Sequence, residues 1–214
     1  MARPDPAYGR YAGLIFDLDG TLIDSMPVHA AAWVQVCAEH GYALDPEFIY
    51  RHGGLASGEI ARELQRRGCR MDDVQAFTRR KVELYRRHIA EVRPIAAVRD
   101  ILLGASARGQ RIAVATGTQR INARDVLTRL ELLTHIHALV TAEDVTRHKP
   151  HPETFLKAAA QLRLTPGECL VFEDAPPGLQ AAAAGGFDCV AVSRGGQVAD
   201  AITPAAAAGN TQPC

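Results

Sequence analysis

The stretch Leu14-Ile15-Phe16-Asp17-Leu18-Asp19-Gly20-Thr21-Leu22-Ile23-Asp24 carries two carboxylates off the end of an apolar strand and into a glycine turn. Side chains alternate along a strand with a period of two. Asp17 and Asp19 therefore share a face wherever extension continues, and Gly20 lets a backbone approach whatever they hold. Two like charges a few ångströms apart repel, so such a pair needs a metal ion, a shared proton or a nearby cation.

Residues 11–17, 111–116, 137–141, 168–173 and 187–192 read as short apolar strands. After residue 94 they alternate with helical stretches such as Ile95 to Gly109 and Pro152 to Leu164, in the manner of parallel β/α units. In the second of these helices Phe155, Ala159 and Leu162 recur at helical spacing. Ligands of such open sheets sit beyond the carboxyl ends of the strands, where Asp17, Thr116 and Asp174 fall.

Between Met26 and Arg93 the pattern changes to helices alone. One runs from Pro27 to Gly41 with Val28, Ala32 and Val36 on one face and Ser25 available as a cap; others cover Ser57 to Gly68 and roughly Asp72 to Ile89. The chain thus divides into a core of residues 11–25 and 94–205 and an inserted helical cap of 26–93, with hinges near Asp24-Ser25 and Arg93-Pro94. The Ala-rich tail 206–214 is expected to be disordered.

The charge balance narrows the partners. Lys plus Arg and Asp plus Glu number 24 each among 214 residues, so no basic excess argues for nucleic acid. No apolar run approaches the ~18 residues of a membrane span, and no secretory signal precedes Tyr11, which makes the cytoplasm the expected location. Five cysteines without a CxxC pair indicate neither a disulfide framework nor a zinc site. Small molecules are the expected partners.

Three further segments carry chemistry: the strand Arg111-Ile112-Ala113-Val114-Ala115-Thr116-Gly117-Thr118, the basic turn His148-Lys149-Pro150, and Leu170-Val171-Phe172-Glu173-Asp174, which again ends a strand in carboxylates. With the opening stretch, these four resemble, in order and character, the four motifs of the haloacid dehalogenase superfamily of phosphohydrolases. Pro27, His29 and Trp33 entering the cap are similar to the β-phosphoglucomutase-like subfamily. The resemblance covers nearly the whole chain. It implies an α/β fold, a Rossmann-like parallel sheet flanked by helices, with an inserted α-helical cap domain.

It also implies roles. Asp17 would attack phosphorus and form an aspartyl-phosphate; Asp19 would protonate the leaving oxygen and later deprotonate water. Mg²⁺ would be held by the side chains of Asp17 and Asp174 and by the Asp19 carbonyl, with Glu173 supporting that shell. Thr116 and the Gly117 amide would bind the phosphoryl oxygens, and Lys149 would supply fixed positive charge. From the cap, Lys81 would reach the sugar and His29 would bond either the substrate or Asp19, whereas Arg79, Arg80, Arg86 and Arg87 read as a solvated helix face.

Mutases of the subfamily hold a second phosphate with an arginine in the loop after a cap glycine. Here that loop reads Gly53-Gly54-Leu55-Ala56-Ser57-Gly58-Glu59, with Ala56 or Gly58 at the position. The expected activity is therefore Mg²⁺-dependent hydrolysis of a small phosphorylated sugar, of the fructose 1-phosphate or 6-phosphogluconate type, by a monomer. A β-phosphoglucomutase is the rival reading, and a noncatalytic phosphoacceptor or sugar-phosphate sensor a remote one. A dehalogenase would lack Asp19, which is present.

Overall fold

The computed structural model describes residues 8–205; the segment 206–214, expected from sequence to be disordered, lies outside them. Five strands form one parallel sheet: β1 (Gly13–Phe16), β4 (Arg111–Ala115), β5 (Ala138–Val140), β6 (Cys169–Glu173) and β7 (Asp188–Ala191). Their order is β5-β4-β1-β6-β7. β1 is thus central, and the chain runs to one side of it through β4 and β5 before crossing to β6 and β7 on the other. That reversal opens a crevice beyond the carboxyl ends of β1 and β6.

The period of two explains how these strands serve two layers. Leu14 and Phe16, Ile112 and Val114, and Leu170 and Phe172 face one side. There they pack on α5 (Ala96–Ala107), through Val98 and Leu102, and on α6 (Arg120–Arg129), through Ala123 and Val126. Ile15, Ala113, Ala115 and Val171 face the other, against α7 (Glu153–Leu162) and α8 (Pro176–Ala184). Both faces are covered, which is why the strands read as continuous apolar runs.

The inserted segment holds α1 (Met26–Glu39), α2 (Pro46–Arg51), α3 (Ser57–Arg66) and α4 (Val74–Arg87). Trp33, Val36, Phe48, Leu64, Phe77 and Leu84 form an apolar cluster of their own. Sequence periodicity did not show two short strands, β2 (Ile23–Asp24) and β3 (Arg93–Pro94), which pair antiparallel where the insert leaves and rejoins the sheet. Two residues are too few for alternation to register. Among the described residues no helix is long and apolar enough to cross a membrane.

Three arginines tie the insert to the sheet domain; one, Arg129 on α6, donates to the carbonyls of Ile89 and Val92 at 2.9 and 2.7 Å. Arg86 on α4 donates to Asn122 at 2.7 Å and to Asp125 at 3.3 Å on α6. Arg194, after β7, donates to Glu47 at 2.7 Å and lies 3.4 Å from the Tyr50 ring centroid, both on α2. The reading of Arg86 as merely solvated is therefore corrected: it finds a polar partner across the interface. Arg80, also read as solvated, bridges within the insert to Glu39 on α1 at 2.8 Å.

Tight packing beneath α8 yields a test. A Cβ on Gly178 would lie 2.0 Å from Glu173 Cδ, so helix and carboxylate approach closely only because that position lacks a side chain. Gly178→Ala is expected to lower stability by about 1–3 kcal/mol, the cost of overpacking a well-filled site. Urea denaturation measures it, and an unshifted midpoint would refute the packing argument.

Candidate active site

Register brings the carboxylates together. Phe16 pairs with Phe172, and the Asp17 amide donates to the Phe172 carbonyl at 2.9 Å, so Asp17 leaves β1 beside Glu173 and Asp174 at the end of β6. Ligand oxygens of these three lie within 4.8 Å of one another. Lys149, delivered by the loop between β5 and α7, donates at 2.6 Å to Asp17 Oδ1 and at 2.6 Å to Glu173 Oε2. All of Asp17, Lys149 and Glu173 are buried.

One ammonium does not balance three carboxylates. Burial pushes Asp17 up to about 8, helped by the Glu173 charge, and Lys149 offsets only part of this. Asp174 is raised to about 7, by burial first and then by Asp17. Burial also raises Glu173. Burial opposes the charge on Lys149 too, but Asp17 and Glu173 outweigh it and hold the ammonium well above the ordinary lysine range.

A hard divalent cation fits this place. The Asp17 Oδ2 atom is buried with no hydrogen-bond partner. A Cβ on Gly20, whose φ is +93°, would stand 2.4 Å from Asp174 Oδ2, so the turn presses against that carboxylate. Thr21 donates to Asp174 Oδ1 at 2.7 Å and fixes its orientation. An oxygen-only donor set with excess negative charge suits Mg²⁺. Glu173 is more committed than a loose supporting ligand: besides Lys149 it accepts the amides of Asp174 and Ala175, each at 3.1 Å, ahead of α8.

The Asp19 side chain faces the insert instead. Ser25 and Thr118 each donate a hydroxyl to it at 2.6 Å, and His29 Nε2 donates at 3.1 Å. Because a carboxylate without a proton only accepts, His29 carries its hydrogen on Nε2, and its Nδ1 accepts from Lys81 at 2.6 Å. Burial works against the Asp19 charge, but His29 and the two hydroxyls overcome it and hold the carboxyl well below its usual range. Burial brings Lys81 down to about 7; it sits 5.1 Å from the Trp33 ring centroid and 5.4 Å from that of Tyr85.

Ser25 was expected to cap α1. It stands at the N-cap position but makes no capping bond, because its hydroxyl is spent on Asp19. Neither it nor Thr118 was singled out for the site, since a hydroxyl six or ninety-nine residues from its partner carries no local signal. Thr116 is buried at the end of β4, 3.5 Å from Asp19 Oδ2, and accepts the Thr118 amide at 3.0 Å.

Asp17, Asp19, His29, Lys81, Thr116 and Gly117 line one pocket. The insert closes tightly over it: a Cβ on Gly117 would lie 2.6 Å from the Gly54 carbonyl oxygen. Only about 40 Å³ is left beneath. That is room for a few waters, far below the ~300 Å³ of an ordinary ligand pocket, so the arrangement is a closed one. The wall contributed by the insert includes His52, Leu55 and Ser57, with no arginine. Ser57, between the two positions matched to the mutase arginine, faces the pocket as the first residue of α3.

Comparison with known proteins places this geometry among relatives. The family described as haloacid dehalogenase-like hydrolase matches residues 14–192. Fructose-1-phosphate phosphatase YqaB of Escherichia coli is 38% identical over 187 residues, 86% of this chain and 98% of that protein. Beta-phosphoglucomutase of Bacillus subtilis is 28% identical, over 85% and 83%. The crystal structure of a hydrolase from Pseudomonas syringae superposes with a TM-score of 0.78 at 28% identity, covering 86% of each chain.

The raised carboxyls make stability depend on pH in a defined direction. Asp17 and Asp174 hold protons up to about 8 and 7 when folded, but only to their ordinary 3.8 when unfolded. Between those limits the folded chain binds more protons, so without a divalent cation it loses stability as pH rises from about 4 to 8. Added Mg²⁺ meets ionised ligands at the upper end and competes with protons at the lower. Thermal melts are expected to show a larger Mg²⁺-induced rise in Tm at pH 8 than at pH 5; equal rises would contradict the assignment.

Proposed function

The chain belongs to the haloacid dehalogenase-like hydrolase family, and from that premise we propose that it is a Mg²⁺-dependent phosphatase of small sugar monophosphates, of the fructose 1-phosphate or 6-phosphogluconate type. The observation that carries the reading is the buried, unpartnered Oδ2 of Asp17 beside an Oδ1 anchored on Lys149. The carboxylate is held in place through one oxygen while lone pairs not used by Lys149 remain on both, enough for one oxygen to meet the cation and the other to attack phosphorus.

In this reading Asp17 attacks phosphorus, the ester oxygen leaves, and water then cleaves the aspartyl-phosphate to regenerate Asp17. Asp19 gives a proton to the leaving oxygen and takes one from the water. Its donors here favour the carboxylate, the form needed to deprotonate water; carrying a proton requires it to release some of them. Thr116 and the Gly117 amide hold phosphoryl oxygens, and Lys149 offsets their charge. A divalent cation held by Asp17 and Asp174, with Glu173 next to it, would neutralise charge developing on the phosphoryl group. Residues 26–93 act as the cap, and their closure over Gly117 excludes bulk water, which would otherwise weaken these interactions.

The arginine-free wall supports hydrolysis over the mutase reading, because a second phosphate would have no bidentate partner there. His29 and Lys81 link the cap to Asp19, and His29 serves as a positioning residue.

Phosphate release across a panel of sugar phosphates tests the activity. Hexose or hexitol monophosphates are expected to be hydrolysed only with Mg²⁺, and Asp17→Asn to lower kcat/KM by about 10⁴-fold. Conversion of β-glucose 1-phosphate to glucose 6-phosphate without phosphate release would overturn the proposal in favour of a mutase. A finer test concerns Asp19. Removing a donor from its carboxylate raises its pKa, so His29→Ala is expected to move the ionisation of the Asp19 carboxyl, followed by its carbon NMR signal, to higher pH; an unmoved ionisation would argue against that role.

A further inference from the structure

Two cavities meet at the carboxylates from different sides. The one beneath the cap reaches Asp17 and Asp19 and has about 40 Å³. The other, about 370 Å³, is bounded by Gly20, Asp24 and Asp174 on the sheet domain and by Glu47 and Arg51 on α2, with Arg194 beside them. Asp174 borders the second and not the first.

Size decides which of them can pass an ion while the cap is shut. Mg²⁺ gives up its water reluctantly and arrives hydrated. Six waters, each needing ~10–15 Å³ of cavity space, require about 60–90 Å³. The larger cavity admits such a complex, and the smaller does not.

Charge points the same way. Arg194 is paired with Glu47 at 2.7 Å, and Arg51 lies 3.7 Å from Asp45, so each guanidinium has an anion of its own. The exposed Asp24 side chain has no ion pair or hydrogen bond among the described residues. Its charge, and that of Asp174 when ionised, are left to attract a cation along the path.

We propose that the divalent cation reaches Asp17 and Asp174 through this second cavity, past Asp24, and exchanges without the cap opening. The inference rests on the cation reading given above and adds a route: substrate comes under the cap, and the ion comes from the flank. Loading of the metal and turnover of the cap are then separate events.

Mn²⁺ alone is the probe, because the EPR signal of the free aqua ion falls on binding and stopped-flow mixing gives both rate constants. Asp24→Asn removes the guiding charge. It is expected to slow association several-fold at low ionic strength and hardly at all in 1 M salt, where screening acts within about 3 Å. Asp24→Trp adds bulk without charge. Relative to Asp24→Asn it is expected to slow association and dissociation by the same factor, leaving Kd unchanged, as a plug in a path does. Arg51→Trp is a second plug. Ser57→Trp, on the substrate side, is expected to leave both rates at the wild-type values.

Equal rates in the Asp24→Trp and Asp24→Asn proteins, with Arg51→Trp also without effect, would overturn the route. So would slowing by Ser57→Trp, which would place the path under the cap. Failure of the wild-type protein to bind Mn²⁺, or binding that survives Asp174→Asn, would instead overturn the cation reading beneath it.

Discussion

A single ammonium buried between carboxylates organises this protein. Lys149 lies 2.6 Å from both Asp17 and Glu173, in a region closed to solvent. Burying a charge costs several kcal/mol even after relaxation, and that cost is recovered only when partners are close and well oriented. The orientation comes from everything around it. Central strands β1 and β6 carry the acids side by side, the turn before α7 carries the base, and the amides before α8 hold the far oxygen of Glu173. The sum remains negative, and that residue of charge is what gives the site its appetite for a cation.

The carboxylate Asp19, two residues from Asp17, belongs to a different electrostatic world. Four groups converge on it: three bonded donors in Ser25, His29 and Thr118, and Lys81 acting through His29. Burial alone would neutralise both aspartates. Donors oppose burial at Asp19 and like charges reinforce it at Asp17, so two neighbours of identical chemistry are driven in opposite directions. His29 and Lys81 belong to the inserted helices, so the charge state of Asp19 is set in part by the insert.

Much of this was legible in the chain. The five parallel strands run as apolar segments because helices cover both faces, and each acid or hydroxyl that ends a strand could be named. What escaped has a common physical cause. The two-residue strands β2 and β3 exist through pairing across the insert, and α2 is only six residues long, too short for a periodic signal. Ser25 looked like an ordinary helix cap because hydroxyls do that work elsewhere. The arrangement of Thr118, Arg86 and Arg194 depends on partners that only the folded chain brings near.

The inserted helices pack about Trp33, Phe48, Leu64 and Phe77, while the sheet packs about a different set of residues. Each layer therefore draws most of its cohesion from within itself, with Val28 and Ile89 packed against both the insert's cluster and one of the sheet's. The pocket wall that holds His52, Leu55 and Ser57 is built on the first, and the clustered carboxylates are built on the second. Changes deep in the helices therefore reach the carboxylates only through the few side chains that cross between the two sets, among them His29, Arg86 and Arg194, so a disturbance in one half is filtered through a narrow channel before the other half feels it.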